Sequence, residues 1–223
     1  MVTVHIPLAT MLVALAFLLR AEFRPDQRRI WIFKPIASIS FIAIGVVGAA
    51  TAADASDEAY RVAILVGLVL CAVGDVFLIP ADNKRAFTFG LVSFLLGHLA
   101  YSLAFILVSA FQWVDLLVAV PLIGVIAVLY RRFTPNLGSM RVPVAAYMVA
   151  ISFMVSRGAA VVLSGGVALT GAWLALGGAL AFYGSDVMLA WNRYATAYRL
   201  NRLNLVLYYG GQAAIAASVM FAA

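Results

Sequence analysis

Long apolar runs alternate along the chain with short polar connections rich in arginine. A string such as LVSFLLGHLAYSLAFILVSA carries no charge at all. Eight runs approach the length of about 20 residues that a helix needs to cross hydrocarbon, at about 2–19, 32–53, 62–80, 86–109, 113–130, 142–163, 168–191 and 202–222. None of them shows the two-residue alternation of a membrane barrel strand, so the pattern predicts helices throughout. The chain reads as an all-α integral membrane protein, a single transmembrane helical domain over 1–223.

Composition agrees with lipid as the solvent. Apolar residues make up 65% of the 223, charged residues 11%, and the mean hydropathy is +1.06, too apolar for a surface that faces water. Of the 15 Lys and Arg, only Arg61 and Arg157 fall in or beside an even-numbered connection. Retained positive charge marks cytoplasmic loops, which predicts a multi-pass protein of the cell inner membrane with the odd connections in the cytoplasm and both termini outside. The net charge of +6 then reflects topology and attraction to anionic lipid rather than nucleic-acid binding. Ala14-Leu15-Ala16 has the look of a cleavage site, but residues 1–5 lack Lys and Arg, so the first run is read as a retained span. Cys71 is the lone cysteine and reads as a small packing residue.

Two segments echo each other, Gly74-Asp75-Val76-Phe77-Leu78 and Ser185-Asp186-Val187-Met188-Leu189, 111 residues apart. Weaker echoes pair Ile39-Ser40-Phe41 with Ile151-Ser152-Phe153 and Gly48-Ala49-Ala50 with Gly158-Ala159-Ala160. Each pair joins spans of the same direction, so a duplication would be a parallel four-plus-four one about an axis along the membrane normal.

Polar groups inside the runs are the candidate chemistry. A charge at mid-span costs roughly 2.5–3.5 kcal/mol on insertion scales, so it marks function by default. Asp75 and Asp186 are such carboxylates, each five residues from the expected cytoplasmic end of its span, at Pro80 and Trp191. The alternative for each is a plain hydrogen-bond acceptor between helices. Lys34, Tyr147, Asn192 and Arg193 gather in the same half of the membrane. Asn201, Asn204, Tyr208 and Gln212 share one face of the last helix, and His98 and Tyr101 share a face near mid-membrane. With only His5 and His98 and no ligand spacing, no metal or other cofactor is expected. No phosphate-binding Gly loop and no Gly-x-Ser-x-Gly elbow occurs, which speaks against serine hydrolase chemistry.

Six strings in order carry a resemblance: Lys34-Pro35; Gly74-Asp75-x-x-Leu78; Phe87-x-x-Gly90-x-x-x-Phe94-x-x-x-His98-x-x-Tyr101; Tyr147-x-x-x-Ile151-x-x-Met154; Phe182-x-x-Ser185-Asp186-x-x-Leu189-Ala190-x-Asn192-Arg193; and Tyr208-Tyr209-x-x-Gln212. The chain resembles the YhhN-like membrane proteins that include the lysoplasmalogenases, with Tyr194 in place of the Phe that usually follows Asn-Arg. The resemblance implies an eight-helix hydrolase that cleaves the vinyl ether bond of lysoplasmalogens to a fatty aldehyde and glycerophosphoethanolamine or glycerophosphocholine.

That reaction begins with protonation of the β-carbon, and water then captures the oxocarbenium ion. It asks for a general acid and a nearby anion, which two neighbouring carboxyl groups in low dielectric supply. Asp75 and Asp186 are the expected pair, their division of labour open. Lys34 and Arg193 would meet the phosphodiester of a lysophospholipid, with the chain pointing inward. Tyr147, Asn204, Tyr208 and Gln212, with His98, Tyr101 and Asn192, would hold head-group oxygens or water. A small transporter or lipid-binding protein using the aspartates for proton or cation coupling is the alternative, and a metal-dependent membrane amidase using His98 and the aspartates is a third reading.

Overall fold

The computed structural model describes residues 2–23, 26–52, 58–80, 82–165, 167–196 and 201–221, the side chains of residues 2, 3, 22, 23, 114 and 201 excepted. The Asn201 side chain, at one end of the expected polar stripe, therefore lies outside what is described. Eight α-helices follow one another: α1 (Val2–Phe23), α2 (Gln27–Thr51), α3 (Glu58–Phe77), α4 (Lys84–Val108), α5 (Trp113–Leu137), α6 (Arg141–Ser164), α7 (Leu169–Tyr194) and α8 (Asn201–Ser218). Short 3-10 turns occupy Gly138–Met140 and Val219–Phe221, and no strand occurs among the described residues.

Seven stretches of these helices are long and apolar enough to cross a membrane, which makes this a multi-pass membrane protein. One of the seven, Asp115–Ser164, runs for 50 residues because the turn between α5 and α6 is itself helical. Its two halves double back on each other, since Arg157 of α6 bonds Asp115 at the start of α5. The reversal begins at Gly138, whose φ of +51° is a conformation that favours glycine.

Several helices outrun the apolar windows that predicted them. α2 starts at Gln27 rather than near 32, and α5 continues to Leu137 through Arg131 and Arg132. Arginine stems extend along apolar surface while their heads reach water, so a helix need not stop where its greasy run does. Where a helix starts is set by capping instead. Asp26 accepts from the backbone of Arg29, and Asn83 accepts from Arg85 and Ala86, opening α2 and α4. At the other extreme α3 ends at Phe77, ahead of Pro80, while α7 runs on to Tyr194. Asp75 thus sits in the last turn of its helix and Asp186 more than two turns inside its own, so the equal distance from helix ends expected for them is not found.

The closest helix pairs are α3 with α4 and α7 with α8, and small residues permit both approaches. A Cβ on Gly67 would fall 2.3 Å from the Tyr101 ring, and one on Gly178 would fall 2.7 Å from the Gly211 carbonyl oxygen. α2 packs against α3 and α8, while α6 packs against α7 and α4. The main core gathers Phe41, Tyr101, Phe105, Phe182 and Tyr209 among others. A second, smaller cluster ties Leu129, Phe133 and Leu137 of α5 to Val144 and Met148 of α6 and Tyr194 of α7.

Arg157, which the charge pattern assigns to the outer side, is fully buried. Its guanidinium pairs with Asp115 at 2.8 Å, donates to the Ser109 carbonyl at 2.7 Å and to the Ser109 hydroxyl at 2.6 Å, and lies 4.1 Å over the Phe111 ring. Asp115 in turn accepts from the Gln112 backbone at the start of α5. One cation therefore pins the α4–α5 connection and the head of α5 to α6. Arg157→Ala leaves Asp115 without its counter-charge, and thermal unfolding in detergent is expected to show a loss of about 3–5 kcal/mol, much of it regained in the double change Arg157→Met with Asp115→Leu.

Candidate active site

At the end of the bundle that carries the arginine-rich connections, seven helices enclose a cavity of about 260 Å³. Lys34 of α2, Asp75 of α3, Phe87 of α4, Leu129 of α5, Tyr147 of α6, Asp186 of α7 and Tyr208 of α8 all line it. The two carboxylates of the sequence reading therefore face one shared space.

Their surroundings differ. Asp75 Oδ2 accepts from the Ser38 hydroxyl and from the Tyr208 hydroxyl, each at 2.7 Å, and Oδ1 lies 3.5 Å from Lys34 Nζ. Ser38 follows Lys34 by one helical turn and also bonds its carbonyl, so one face of α2 presents both groups. Three donors with the charge or polarity of an anion's partners thus close around Asp75, whose side chain is 3% exposed. Asp186 receives the Tyr147 hydroxyl on Oδ2, and among the described residues none donates to Oδ1. Its side chain is 14% exposed, toward the cavity that it lines.

His98 is fully buried, and among the described residues neither ring nitrogen has a hydrogen-bond partner within ordinary geometry. Its Nε2 is 3.7 Å from Asp186 Oδ2, too long for a hydrogen bond. The ring is held instead by aromatic contacts, edge-on to Tyr147 at 5.0 Å and tilted on Phe182 at 4.5 Å. At the cavity rim the Arg193 guanidinium lies 3.5 Å over the Phe87 ring, with its charge on the same cavity as Lys34.

Of the other residues expected here, Asn204 lines the cavity and His98 stands just behind Asp186. Tyr101 and Gln212 do not line it: the Tyr101 hydroxyl donates to Gln212 Oε1 at 2.6 Å in a fully buried pair. Asn192 is half-buried and also absent from the lining. Ser38, Tyr183, Ser185 and the α5 side chains Leu129 and Phe133 were not anticipated. Ser38 was findable, one turn beyond Lys34 on the same face. Among the described residues no three His, Cys, Asp or Glu side chains group as a metal site requires.

The YhhN family model matches residues 29–219, which hold every cavity residue named above. The chain belongs to the YhhN family. Lysoplasmalogenase TMEM86A of Bos taurus is 32% identical to this YhhN chain over 160 residues, 70% of this chain and 65% of that protein. Lysoplasmalogenase TMEM86A of Homo sapiens is 34% identical over 165 residues, with 70% and 65% covered. The chain thus aligns with about 65% of the length of these curated relatives. No solved structure matches it.

The sealed Tyr101–Gln212 pair separates structural from ligand-facing polarity in this YhhN protein. Tyr101→Phe takes the donor from Gln212 Oε1 and is expected to lower stability by about 1–3 kcal/mol in detergent unfolding. The KM of any ligand that occupies the cavity should not move, and a raised KM with unchanged stability would contradict this placement.

Proposed function

We propose that this protein is a lysoplasmalogenase-like hydrolase that opens the vinyl ether bond of a lysoplasmalogen, releasing a fatty aldehyde and a glycerophospho head group. The observation that carries the reading is the pair of unlike carboxyl groups in one cavity. Asp75, surrounded by Ser38, Tyr208 and Lys34, is suited to remain an anion. Asp186, with one oxygen bonded to Tyr147 and the other open to the cavity, is suited to deliver a proton.

In this scheme Asp186 protonates the β-carbon of the vinyl ether. The α-carbon becomes an oxocarbenium ion, stabilised by the Asp75 carboxylate. Water adds to that carbon and passes a proton back to Asp186. The hemiacetal then collapses, its hydroxyl proton going with the glycerol oxygen and leaving the aldehyde. Lys34 and Arg193 receive the phosphodiester, and Asn204 and Tyr147 border the path between head group and reacting carbons. The family membership and the names of the relatives support the substrate class.

The arrangement in the membrane belongs to the same proposal. Eight crossings, with α5 and α6 counted separately, place both termini outside and the cavity near the cytoplasmic face of the inner membrane. A parallel four-plus-four duplication accounts for several regularities together. α3 pairs with α4 as α7 does with α8, and the α2–α8 contact has its counterpart in α6–α4. Tyr101 and Gln212, which bond each other, are 111 residues apart, the same offset as Asp75 and Asp186. Groups at equivalent positions touch only on the symmetry axis.

Purified protein given lysoplasmenylethanolamine should release aldehyde, and none should come from the saturated ether analogue. Asp186→Asn and Asp75→Asn, each shown to fold by its unfolding transition, are expected to lose about 100-fold or more in turnover. Undiminished aldehyde release from both variants would remove the carboxyl groups from the mechanism.

A further inference from the structure

The cavity has two unlike walls. On the α2, α3 and α8 side stand Lys34, Asp75, Asn204 and Tyr208, the polar groups of a stretch that also includes Leu78, Pro80 and Leu205. On the opposite side Leu129 and Phe133 of α5 and Val144, Met148 and Ile151 of α6 form an apolar surface. Only Tyr147 interrupts it on α6, and its hydroxyl is taken up by Asp186. From Val144 to Ile151 this wall extends about 10 Å along the helix axis.

We infer that the α5–α6 wall is a subsite for the aliphatic chain of a single-chain lipid, with Met148 at its centre setting which chain lengths are accepted. The occupant follows from the lining. Water against an apolar surface of this extent is unfavourable, so the wall calls for hydrocarbon, while Lys34 and Arg193 on the same cavity call for an anionic group at the other end of the ligand. Only an amphiphile meets both demands. A volume of about 260 Å³ is near the lower end for ligand pockets and suits one chain rather than two.

Four of the five wall residues, Leu129, Phe133, Val144 and Met148, belong to the smaller α5–α6–α7 cluster, whereas Tyr208 and Phe94 belong to the main core. The wall is therefore set apart from the side chains that hold Asp75, and it can change without moving them. The inference rests on the lysolipid reading above, to which it adds a chain-length determinant.

The test compares Met148→Trp, which fills the middle of the wall, with Val142→Trp on the same helix, where the wild-type side chain is 77% exposed. Saturated-ether lysophosphatidylethanolamines of short and long chain serve as binding probes, and the matching vinyl ethers as substrates. In the wild type, affinity is expected to rise by up to about fourfold for each methylene the wall covers. Met148→Trp should cut the preference for long over short chains by about tenfold or more, a few methylenes' worth, while Val142→Trp keeps the wild-type ratio. A loss equal at every chain length in Met148→Trp, or a ratio as much reduced in Val142→Trp, overturns the subsite. Binding that follows chain length without any vinyl ether cleavage keeps the subsite and removes the hydrolase reading. Cleavage whose sensitivity to Met148→Trp ignores chain length does the reverse.

Discussion

A carboxylate such as Asp75 can persist among apolar helices only if its lost hydration is replaced from within the protein, because lipid offers nothing in return. α2 and α8 make that replacement, bringing Ser38, Lys34 and Tyr208 to its two oxygens. The packing of α2 against α3 and α8 is thus tied to one ion's solvation. Lys34, which would itself be costly in hydrocarbon, is compensated by the same contact. Shifting α2 by a turn would leave a buried anion and a buried cation each alone, so this polar contact fixes a register that the apolar contacts among the same helices would fix only loosely.

The far end of the bundle solves an analogous problem with a different purpose. Arg157 and Asp115 neutralise each other, and Nη2 of Arg157 is used on the α4–α5 connection. No cavity residue belongs to that cluster. The clamp holds the head of α5 against α6, while the tail of α5, with Leu129 and Phe133, forms one side of the cavity. At the tail the Asn136 amide donates to the Tyr194 carbonyl at 2.7 Å, fastening α5 to α7. A helix whose outer face carries the exposed Leu116, Leu117, Val120 and Ile123 is in this way kept at a fixed distance from the carboxylates.

The helices were legible in the sequence because an uncharged run of span length has few alternatives in lipid, and the carboxylates were legible because such residues are costly there unless something uses or pairs them. Helix ends were less so, since caps such as Asp26 and Asn83 and the turn at Gly138 decide them rather than the end of an apolar run. Asp75 and Asp186 in one cavity, with Lys34, Tyr147, Arg193, Asn204 and Tyr208, could be anticipated because the sequence gathers them in one half of the expected spans, even though the two helix ends proved unequal. Tyr101 and Gln212 show the limit of that inference: a polar stripe on a helix says that a partner exists, not whether the partner is protein or ligand. Ser38 was passed over because serine in an apolar helix commonly satisfies itself on the preceding turn, and Ser38 does this with the Lys34 carbonyl while also serving Asp75. Leu129 closes the span expected at 113–130 and Phe133 falls in the arginine-rich connection after it, and only the continuation of α5 to Leu137 and its fold back along α6 bring the two to the cavity.

Duplication, on the reading proposed for this chain, would supply two carboxyl groups related by symmetry, yet acid catalysis with a stabilising anion needs them to differ. Two equal groups would share a proton without commitment to either role. The difference comes from helices that occupy equivalent places but present unlike side chains. Where α2 offers Asp75 a lysine and a serine, α6 offers Asp186 a single tyrosine. Where α8 donates the Tyr208 hydroxyl to Asp75, α4 sets beside Asp186 only the His98 ring, too distant to donate. Every one of these differences removes a donor from the Asp186 side, so the divergence runs in one direction. It leaves one carboxyl fully engaged by the protein and the other with an oxygen free for the ligand, which is the asymmetry that the proposed chemistry requires.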